Sequence, residues 1–175
     1  MIQDAIAIGK MLFQSKLVDG ASGNLSFREG SKIMITKSGA NLGTLDENSF
    51  VEITHPSASR DRLVHAMIYK TTDYNAVIHC HGVFNVVLSI IKDKISPLDL
   101  EGKLFLKELN VVDIEFGTPE YAEAIAERIK NNGVIIAKAH GIYSAGKNLA
   151  EAFNKACYAE HSCEILYYLS LLDKL

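Results

Sequence analysis

Residues 75–82 read NAVIHCHG and place two histidines two positions apart at the end of an apolar run. The AVI segment favours an extended strand, because valine and isoleucine suit a pleated, buried surface. In a strand, residues i and i+2 share a face, so we expect His79 and His81 to point the same way and Cys80 the opposite way. The stretch predicts a buried strand that presents two imidazoles to one ion.

A third ligand would separate a metal site from a chance pair of histidines. The best candidate is His140, which follows the run VIIAKA at residues 134–139 and precedes Gly141. Three neutral imidazoles with an open fourth position are typical of a catalytic zinc site, since structural sites close with four protein ligands and usually favour thiolates. We therefore expect His79, His81 and His140 to hold one Zn²⁺ per subunit, with Co²⁺, Mn²⁺ or Fe²⁺ as alternatives.

Length and composition limit the function classes. The chain has 175 residues, of which 48% are hydrophobic and 22% charged, so we expect one globular domain over residues 1–175. The net charge of −3 and the lack of a Lys/Arg cluster argue against nucleic-acid binding. A transmembrane helix would need an apolar stretch of about 18 residues, and the sequence contains none of that length. Asp4 stands where a secretory signal would be basic, so we expect a cytoplasmic location.

The cysteines point away from a thiolate metal site. Cys80, Cys157 and Cys163 are three in number and lack CxxC spacing, which argues against both a disulfide framework and a thiolate ligand set. We expect Cys80 to be a small packed residue behind the strand that carries the histidines.

Hydrophobic periodicity and turn residues predict an alternation of strands and helices. The predicted helices cover residues 2–17, 60–70, 83–91, 119–130 and 149–175, and the further predicted strands cover 25–28, 32–36, 51–54, 111–114 and 134–140. Residues 94–110 give no clear assignment, 143–144 form a short segment, and 145–148 resemble a turn. The pattern predicts a single α/β domain with a mixed or largely antiparallel sheet covered by helices on both faces. No G-x-G-x-x-G joins a strand to a helix, which argues against a Rossmann nucleotide site.

Three loops carry small and polar residues that suit an anion. One is the glycine-rich loop that ends at an asparagine, one is a Ser-Gly pair after a strand, and one is a Ser-Arg pair at a predicted helix start. Exposed backbone N–H groups, a side-chain amide and a guanidinium at a helix N-terminus all favour anions. Each loop alone is most often an ordinary turn. Together they predict a phosphate pocket made by Asn24, Ser38, Gly39, Ser59 and Arg60.

Asp61 lies in the segment that precedes the histidine strand, in the first turn of a predicted helix. By itself it would be a helix N-terminal acid stabilised by the helix dipole. Beside a metal ion it can act as a further ligand or as a general base. His65, one turn later, is expected to be packed or to support a ligand. His55 and His161 carry no pattern and are expected to be peripheral.

Five blocks of sequence, taken in order, resemble a known family. They are GNLSFREGSKIMITKSG at 23–39, SRDRLVH at 59–65, AVIHCHG at 76–82, GTPE at 117–120 and VIIAKAHGIYSAGKNLAEAF at 134–153. Together they resemble the class II aldolase/adducin family, whose members include fuculose-phosphate aldolase and ribulose-phosphate 4-epimerase. The resemblance covers about residues 20–160. HxH alone is a weak signal, whereas the five blocks in this order are specific.

The resemblance implies a homotetramer with a zinc site at each subunit interface and a phosphorylated sugar as substrate. The metal would be held by the residues at His79, His81 and His140. The phosphate and substrate contacts would fall on Asn24, Ser38, Gly39, Ser59 and Arg60, of which Arg60 replaces a small hydroxyl residue common in the family's aldolases.

Two further departures from the family bear on the reaction. The family's aldolases carry a glutamate, and its 4-epimerases an aspartate, where this chain has Asp61. Family members often carry a C-terminal tail whose tyrosine completes a neighbouring subunit's site. We expect no such tail after Leu175, and Tyr143 is then either a substitute acid or a buried structural tyrosine.

The resulting hypothesis is a zinc-dependent class II aldolase that cleaves a small phosphorylated ketose, of the fuculose 1-phosphate type, through a metal-stabilised enediolate. Asp61 would move the proton on the reacting carbon, and Asn24 would hydrogen-bond the enediolate. A ribulose-5-phosphate 4-epimerase and a methylthioribulose-1-phosphate dehydratase are the alternatives within the family. From other functional classes, a three-histidine zinc hydratase and a non-catalytic, adducin-like scaffold of the same fold remain open, although the three intact histidines disfavour the scaffold.

Overall fold

The computed structural model describes residues 1–172 and contains one eight-stranded sheet within them. Along the sheet the strands follow the order β3-β2-β1-β4-β8-β7-β6-β5. Neighbouring strands are antiparallel except for the parallel pair β6 and β7. The strands are β1 Asn24–Glu29, β2 Lys32–Thr36, β3 Phe50–Glu52, β4 Ala76–Cys80, β5 Lys94–Ile95, β6 Leu109–Val112, β7 Val134–Ala137 and β8 Gly141–Gly146. The prediction of a mixed, largely antiparallel sheet is confirmed.

Five α-helices cover the two faces of the sheet. They are α1 Ile2–Gln14, α2 Arg62–Thr71, α3 Val83–Ile91, α4 Pro119–Arg128 and α5 Leu149–Leu172. Helices α1, α3 and α5 pack in one hydrophobic cluster, and α2 and α4 pack in a second cluster on the opposite face. The predicted α/β domain with helices on both faces is therefore confirmed.

None of the helices in residues 1–172 has the length and apolar character that a membrane crossing requires.

Strand β4 lies in the middle of the sheet, and every one of its residues is buried. Alternate side chains of the strand enter opposite clusters, as a two-residue period requires. Cys80 is fully buried against the α1 and α5 side, while His79 stacks on Tyr143 on the α2 and α4 side. The prediction that His79 and Cys80 point to opposite faces of the sheet is therefore confirmed.

Residues 141–146 form a fully buried strand, so the prediction of a short segment followed by a turn at 145–148 is wrong. β8 pairs with β4 on one side and β7 on the other, which satisfies its backbone N–H and C=O groups. Its sequence, GIYSAG, is rich in small and polar residues and lacks the apolar pattern of a strand. The register of its neighbours, rather than its own propensity, decides its conformation.

The strand predicted over residues 134–140 is present as β7, but its predicted end at His140 is wrong, because β7 ends at Ala137 and His140 lies in the tight turn before β8. Ala139 in this turn has a left-handed backbone, with φ of +55°. Its N–H donates to the Ser89 hydroxyl of α3 at 3.0 Å, and the His140 N–H donates to the Ala137 carbonyl at 3.1 Å. The turn therefore holds His140 at a fixed place beside β4.

Other element boundaries differ by a few residues from those predicted. Helix α2 begins at Arg62 rather than at residue 60, because the Arg62 N–H closes a turn onto the Ser59 carbonyl at 3.1 Å and leaves Asp61 at the N-cap position. Helices α1 and α4 end at Gln14 and Arg128, earlier than predicted. The unassigned residues 94–110 contain β5, the start of β6 and a π-helical turn over Gly102–Leu106. Residues 173–175 of the predicted last helix lie outside the described residues.

Candidate active site

Three histidines converge where β4 ends beside the turn between β7 and β8. The Nε2 atom of His79 lies 2.8 Å from Nε2 of His81 and 3.3 Å from Nε2 of His140. The backbone N–H of His81 donates to the Leu17 carbonyl at 2.7 Å, which fixes the residue that follows β4. Gly141 lets the two strands approach closely, because a Cβ there would collide with the Cys80 carbonyl oxygen. The structure thus brings together the three imidazoles that the sequence spacing selected.

The ring of His79 is fixed in one tautomer by the backbone. Its Nδ1 lies 3.0 Å from the Ile142 carbonyl oxygen, which can only accept, so Nδ1 carries the proton and Nε2 carries a lone pair. Burial lowers the pKa of His79 to about 3, and burial also lowers the pKa values of His81 and His140. The three rings are therefore neutral near pH 7. The Nε2 lone pair of His79 faces the Nε2 atoms of the other two neutral rings, so the three nitrogens form a donor set that fits a divalent transition metal.

Asp61 brings a carboxylate to the same place. Its side chain does not cap α2; its two oxygens accept hydrogen bonds from Asn24 Nδ2 at 2.7 Å and from the Tyr143 hydroxyl at 2.9 Å. The Oδ2 atom lies 3.6 Å from Nε2 of His79. Burial alone would raise the pKa of Asp61, but His79, His65 and the two hydrogen bonds together hold this pKa below its ordinary value. The carboxylate is therefore ionised at neutral pH.

The imidazoles and the predicted anion-binding residues share one cavity of about 130 Å³. Its wall includes every residue that the sequence proposed for the site, namely Asn24, Ser38, Gly39, Ser59, Arg60, Asp61, His79, His81 and His140. Lys37 and Phe116 also line it. Within residues 1–172, neither Lys37 nor Arg60 forms an ion pair with a carboxylate. Two cations without protein counter-ions therefore border a cavity that also holds the imidazoles.

The loops that carry the anion-binding residues are joined by backbone hydrogen bonds. Lys37 and Ala58 form an antiparallel bridge, and the Ser59 N–H donates to the Thr36 carbonyl at 3.1 Å. This pairing brings the Ser-Gly loop after β2 next to the segment that leads into α2. In the loop before β1, Gly23 has φ of +74°, and a Cβ there would lie 2.7 Å from the His79 carbonyl oxygen. Only glycine lets that loop approach β4 so closely.

Sequence reasoning missed three residues around the site. The Tyr121 hydroxyl lies 3.2 Å from Nδ1 of His140, and the Phe116 ring packs edge-on against His140 with centroids 5.1 Å apart. Lys37, which directly precedes the predicted Ser-Gly pair, also lines the cavity. A lysine directly before that pair was a usable signal for Lys37, whereas no local pattern linked Tyr121 or Phe116 to a histidine about 20 residues later.

The remaining histidines lie away from the cavity wall. His65 is fully buried, and its Nδ1 lies 2.6 Å from the Ser26 hydroxyl, in agreement with the packed role predicted for it. Burial lowers the pKa of His65 to about 4. His55 and His161 are exposed. Tyr143 is fully buried and contacts Asp61 rather than the cavity.

Comparison with known proteins identifies what the chain is similar to. The family model described as Class II Aldolase and Adducin N-terminal domain matches residues 3–167. The L-fuculose phosphate aldolase of Methanocaldococcus jannaschii is 38% identical over 177 residues, which cover 97% of this chain and 96% of that protein. A methylthioribulose-1-phosphate dehydratase of Pseudoalteromonas translucida is 28% identical over 181 residues, which cover 86% of this chain and 82% of that protein.

A solved structure extends the similarity to the whole fold. The crystal structure of L-fuculose-1-phosphate aldolase from Thermus thermophilus superposes with a TM-score of 0.94 at 30% sequence identity. The match covers 99% of this chain and 95% of that chain. The resemblance drawn from the five sequence blocks is therefore confirmed at the level of sequence and of fold.

Proposed function

Because the chain belongs to the class II aldolase and adducin family, we propose that it is a metal-dependent aldolase that cleaves a small phosphorylated ketose of the L-fuculose 1-phosphate type. Relatives named as aldolases of this sugar phosphate match nearly the whole chain. The observation that carries the proposal is the shared cavity, which is lined by three converging imidazoles and by two cations that form no ion pair within residues 1–172. A phosphorylated ketose has both a carbonyl that can bind a metal and an anion that suits the cations.

His79, His81 and His140 would hold the metal through their Nε2 atoms, with Asp61 as a candidate fourth ligand. Zn²⁺ is the first choice for three imidazoles with an open position, although other divalent transition metals accept the same ligands. When bound, the ion supplies Lewis-acid stabilisation of the negative charge that develops on substrate oxygens as the carbon–carbon bond breaks.

The phosphate would bind to the loop residues of the cavity wall. Ser59 is buried, Ser38 and Gly39 form an exposed turn, and Arg60 and Lys37 line the cavity with them. Hydroxyl, backbone N–H and cationic groups are the usual phosphate partners, and Arg60 can donate two parallel hydrogen bonds. Fixing the phosphate would orient the carbonyl end of the ketose toward the imidazoles, which is worth several kcal/mol when the reacting atoms are aligned.

Asp61 and Asn24 would act on the reacting part of the sugar. Asp61 is ionised and accepts a hydrogen bond at each oxygen, and it would transfer the proton on the carbon that becomes the nucleophile in the synthetic direction. Asn24 Nδ2 has two hydrogens and gives one of them to Asp61. The second hydrogen remains to be donated to a substrate oxygen in the cavity that Asn24 lines.

We also propose that the chain forms a homotetramer whose interface borders the site. Helix α3 begins directly after the HxHG segment, and one of its faces is exposed and apolar. Val83, Ile90 and Ile91 on this face are 64%, 55% and 73% exposed. Apolar surface of this kind is typical of an interface between subunits. Because Val83 is only two residues from His81, a second subunit on this face would lie next to the imidazoles.

The proposal is tested by assaying aldol cleavage together with bound metal. Cleavage of a 1-phosphorylated 2-ketose between C3 and C4 gives dihydroxyacetone phosphate and an aldehyde, and glycerol-3-phosphate dehydrogenase reports the first product. We expect L-fuculose 1-phosphate to be cleaved by protein that carries stoichiometric metal. H140A should lose both metal and cleavage, whereas H161A, which changes an exposed histidine, should keep both. Cleavage by metal-free H140A at the wild-type rate would contradict the assignment.

Two related reactions are the alternatives, and each has an observation in its favour. The similarity to a methylthioribulose-1-phosphate dehydratase over 86% of the chain favours loss of water without cleavage. The aspartate at Asp61 favours a ribulose-5-phosphate 4-epimerase, whose family members carry an aspartate there. Incubation with methylthioribulose 1-phosphate and with a pentulose 5-phosphate separates the three, because a dehydratase releases water, an epimerase returns an isomer and an aldolase releases two fragments.

A further inference from the structure

Four side chains form a continuous chain of contacts from His140 to Asp61. His140 Nδ1 lies 3.2 Å from the Tyr121 hydroxyl, which lies 3.2 Å from the Tyr143 hydroxyl, which in turn lies 2.9 Å from Asp61 Oδ1. The chain begins at one proposed metal ligand and ends at the proposed base. Its two middle members are buried tyrosines, and the proposed reaction assigns a chemical step to neither of them.

The direction of every proton in this chain follows from its ionised end. The Asp61 carboxylate can only accept, so Tyr143 donates its single hydroxyl proton to Asp61. Tyr143 can then only accept from Tyr121, which thereby uses its own proton. The Tyr121 oxygen is left as an acceptor for His140, so Nδ1 of His140 must carry a proton. The Nε2 atom of His140, which faces the other two imidazoles, is left with a lone pair.

We propose that Tyr121 and Tyr143 are positioning residues that hold His140 in its Nδ1–H tautomer and so prepare its Nε2 atom for a metal ion. The inference rests on the proposed function, since it assumes that the three imidazoles bind a metal. In metalloproteins the second ring nitrogen of a histidine ligand commonly donates to a carboxylate or a carbonyl, which fixes the tautomer. Here the carboxylate of Asp61 would serve that purpose through two hydroxyl groups.

The comparison with His79 supports a specific role for the hydroxyls. His79 has the same tautomer, but a backbone carbonyl sets it directly, through Nδ1 at 3.0 Å from the Ile142 oxygen. The ring of His140 lies in a turn at the end of β7, where Tyr121 supplies the acceptor. Tyr121 and Tyr143 are 2% and 0% exposed, so bulk water does not compete for these hydrogen bonds. Buried hydroxyl groups are costly unless they are hydrogen-bonded, and here both are.

The test is the metal affinity of Y121F, Y143F and the double variant, measured with Co²⁺ or Zn²⁺ in competition with a chelator. We expect each single variant to bind metal at least about 10-fold more weakly than wild type, as for other residues that support metal ligands. The double variant should lose little more than either single variant, because both hydroxyls belong to one chain. Y69F is the matched control, since Tyr69 is a buried tyrosine of the same cluster whose hydroxyl contacts Ser26. It should keep the wild-type affinity.

A second measurement addresses the tautomer directly and needs no variant. In ¹⁵N-histidine-labelled wild-type protein without metal, NMR should show His140 protonated at Nδ1 and unprotonated at Nε2. Wild-type affinity in both Y121F and Y143F, or an Nε2–H tautomer of His140, would overturn the inference while leaving metal binding intact. A wild-type protein that binds no divalent metal would instead overturn the proposed function, and this inference with it.

Discussion

His79 and Tyr143 are register partners across the β4 and β8 pair, and their rings stack with centroids 4.1 Å apart and planes 15° apart. The stacking places the Tyr143 hydroxyl on Asp61 and leaves the far edge of the His79 ring facing His81 and His140. One cross-strand pair thus connects the buried core of the sheet to the carboxylate and to the imidazole cluster.

Asp61→Asn should lower kcat at saturating metal by about 100-fold or more, the usual contribution of a general base, and should weaken metal binding without abolishing it. The three imidazoles remain in this variant, but an amide cannot take up the proton. The measurement is kcat together with metal content by elemental analysis. Asp113→Asn, which changes an exposed carboxylate paired with Lys138, serves as control and should retain wild-type kcat. Loss of metal without a change in kcat at saturating metal would mean that Asp61 is a ligand only.

Arg60→Ala and Lys37→Ala should each raise KM for the phosphorylated substrate by about 10-fold or more and change kcat much less, because they would contact phosphate rather than the reacting carbons. Steady-state kinetics on L-fuculose 1-phosphate measures both constants. Arg62→Ala is the matched control, since Arg62 is exposed on α2 but does not line the cavity. If KM rises equally in R60A and R62A, the effect reflects general charge and not a phosphate contact.

Gly23→Ala should destabilise the protein more than Gly20→Ala, although both glycines have left-handed backbones in one loop. At Gly20 an added Cβ meets no atom within 4 Å, so only the backbone cost of about 1–2 kcal/mol applies. At Gly23 the Cβ would also lie 2.6 Å from a Val18 methyl group and 2.7 Å from the His79 carbonyl oxygen. Urea unfolding of the two variants measures the difference. Equal losses of free energy would show that the loop moves away from β4 without cost.

The metal-free protein should lose stability as the pH falls from about 6.5 towards 4. His65 is buried with a pKa of about 4, so between these values the unfolded chain binds a proton that the folded protein does not. Stability therefore rises with pH across this window, by up to about 1.4 kcal/mol per pH unit for this group. Urea unfolding at several pH values tests the slope.

His65→Gln provides the comparison for that slope. We expect the free energy of unfolding to depend less steeply on pH in this variant, because residue 65 can no longer titrate. H161Q, which changes an exposed histidine, should keep the wild-type slope. An unchanged slope in H65Q would assign the acid sensitivity to other groups, among them His79, whose pKa is lowered to about 3.

Ile91→Glu should convert the proposed tetramer into smaller species, because a charge on the exposed apolar face of α3 would be buried in the interface without a partner. Light scattering after size exclusion measures the mass. Leu63→Glu is the control, because Leu63 is exposed on α2, away from this face, and should leave the mass unchanged. A wild-type protein that is monomeric at assay concentration would contradict the proposed assembly.

Sequence alone was sufficient where the signal was local. The two-residue period of a strand fixed the relation of His79, His81 and Cys80, because neighbours along a strand alternate between the faces of the sheet. The small and cationic residues of the loops were a second local signal, because the chemistry of a turn depends on a few adjacent residues. They identified four residues that line one cavity, namely Ser38, Gly39, Ser59 and Arg60. The five ordered blocks added the family and, with it, the fold.

The tertiary structure alone decided which distant residues meet. Tyr143 and Asp61 are 82 residues apart and contact each other only because β8 pairs with β4 in one register. The small and polar residues of GIYSAG do not predict that pairing. Tyr121 reaches His140 only through the packing of α4 against the sheet. Periodicity reports the side of an element that is buried, whereas contacts between elements depend on register and packing, which no short stretch of sequence contains.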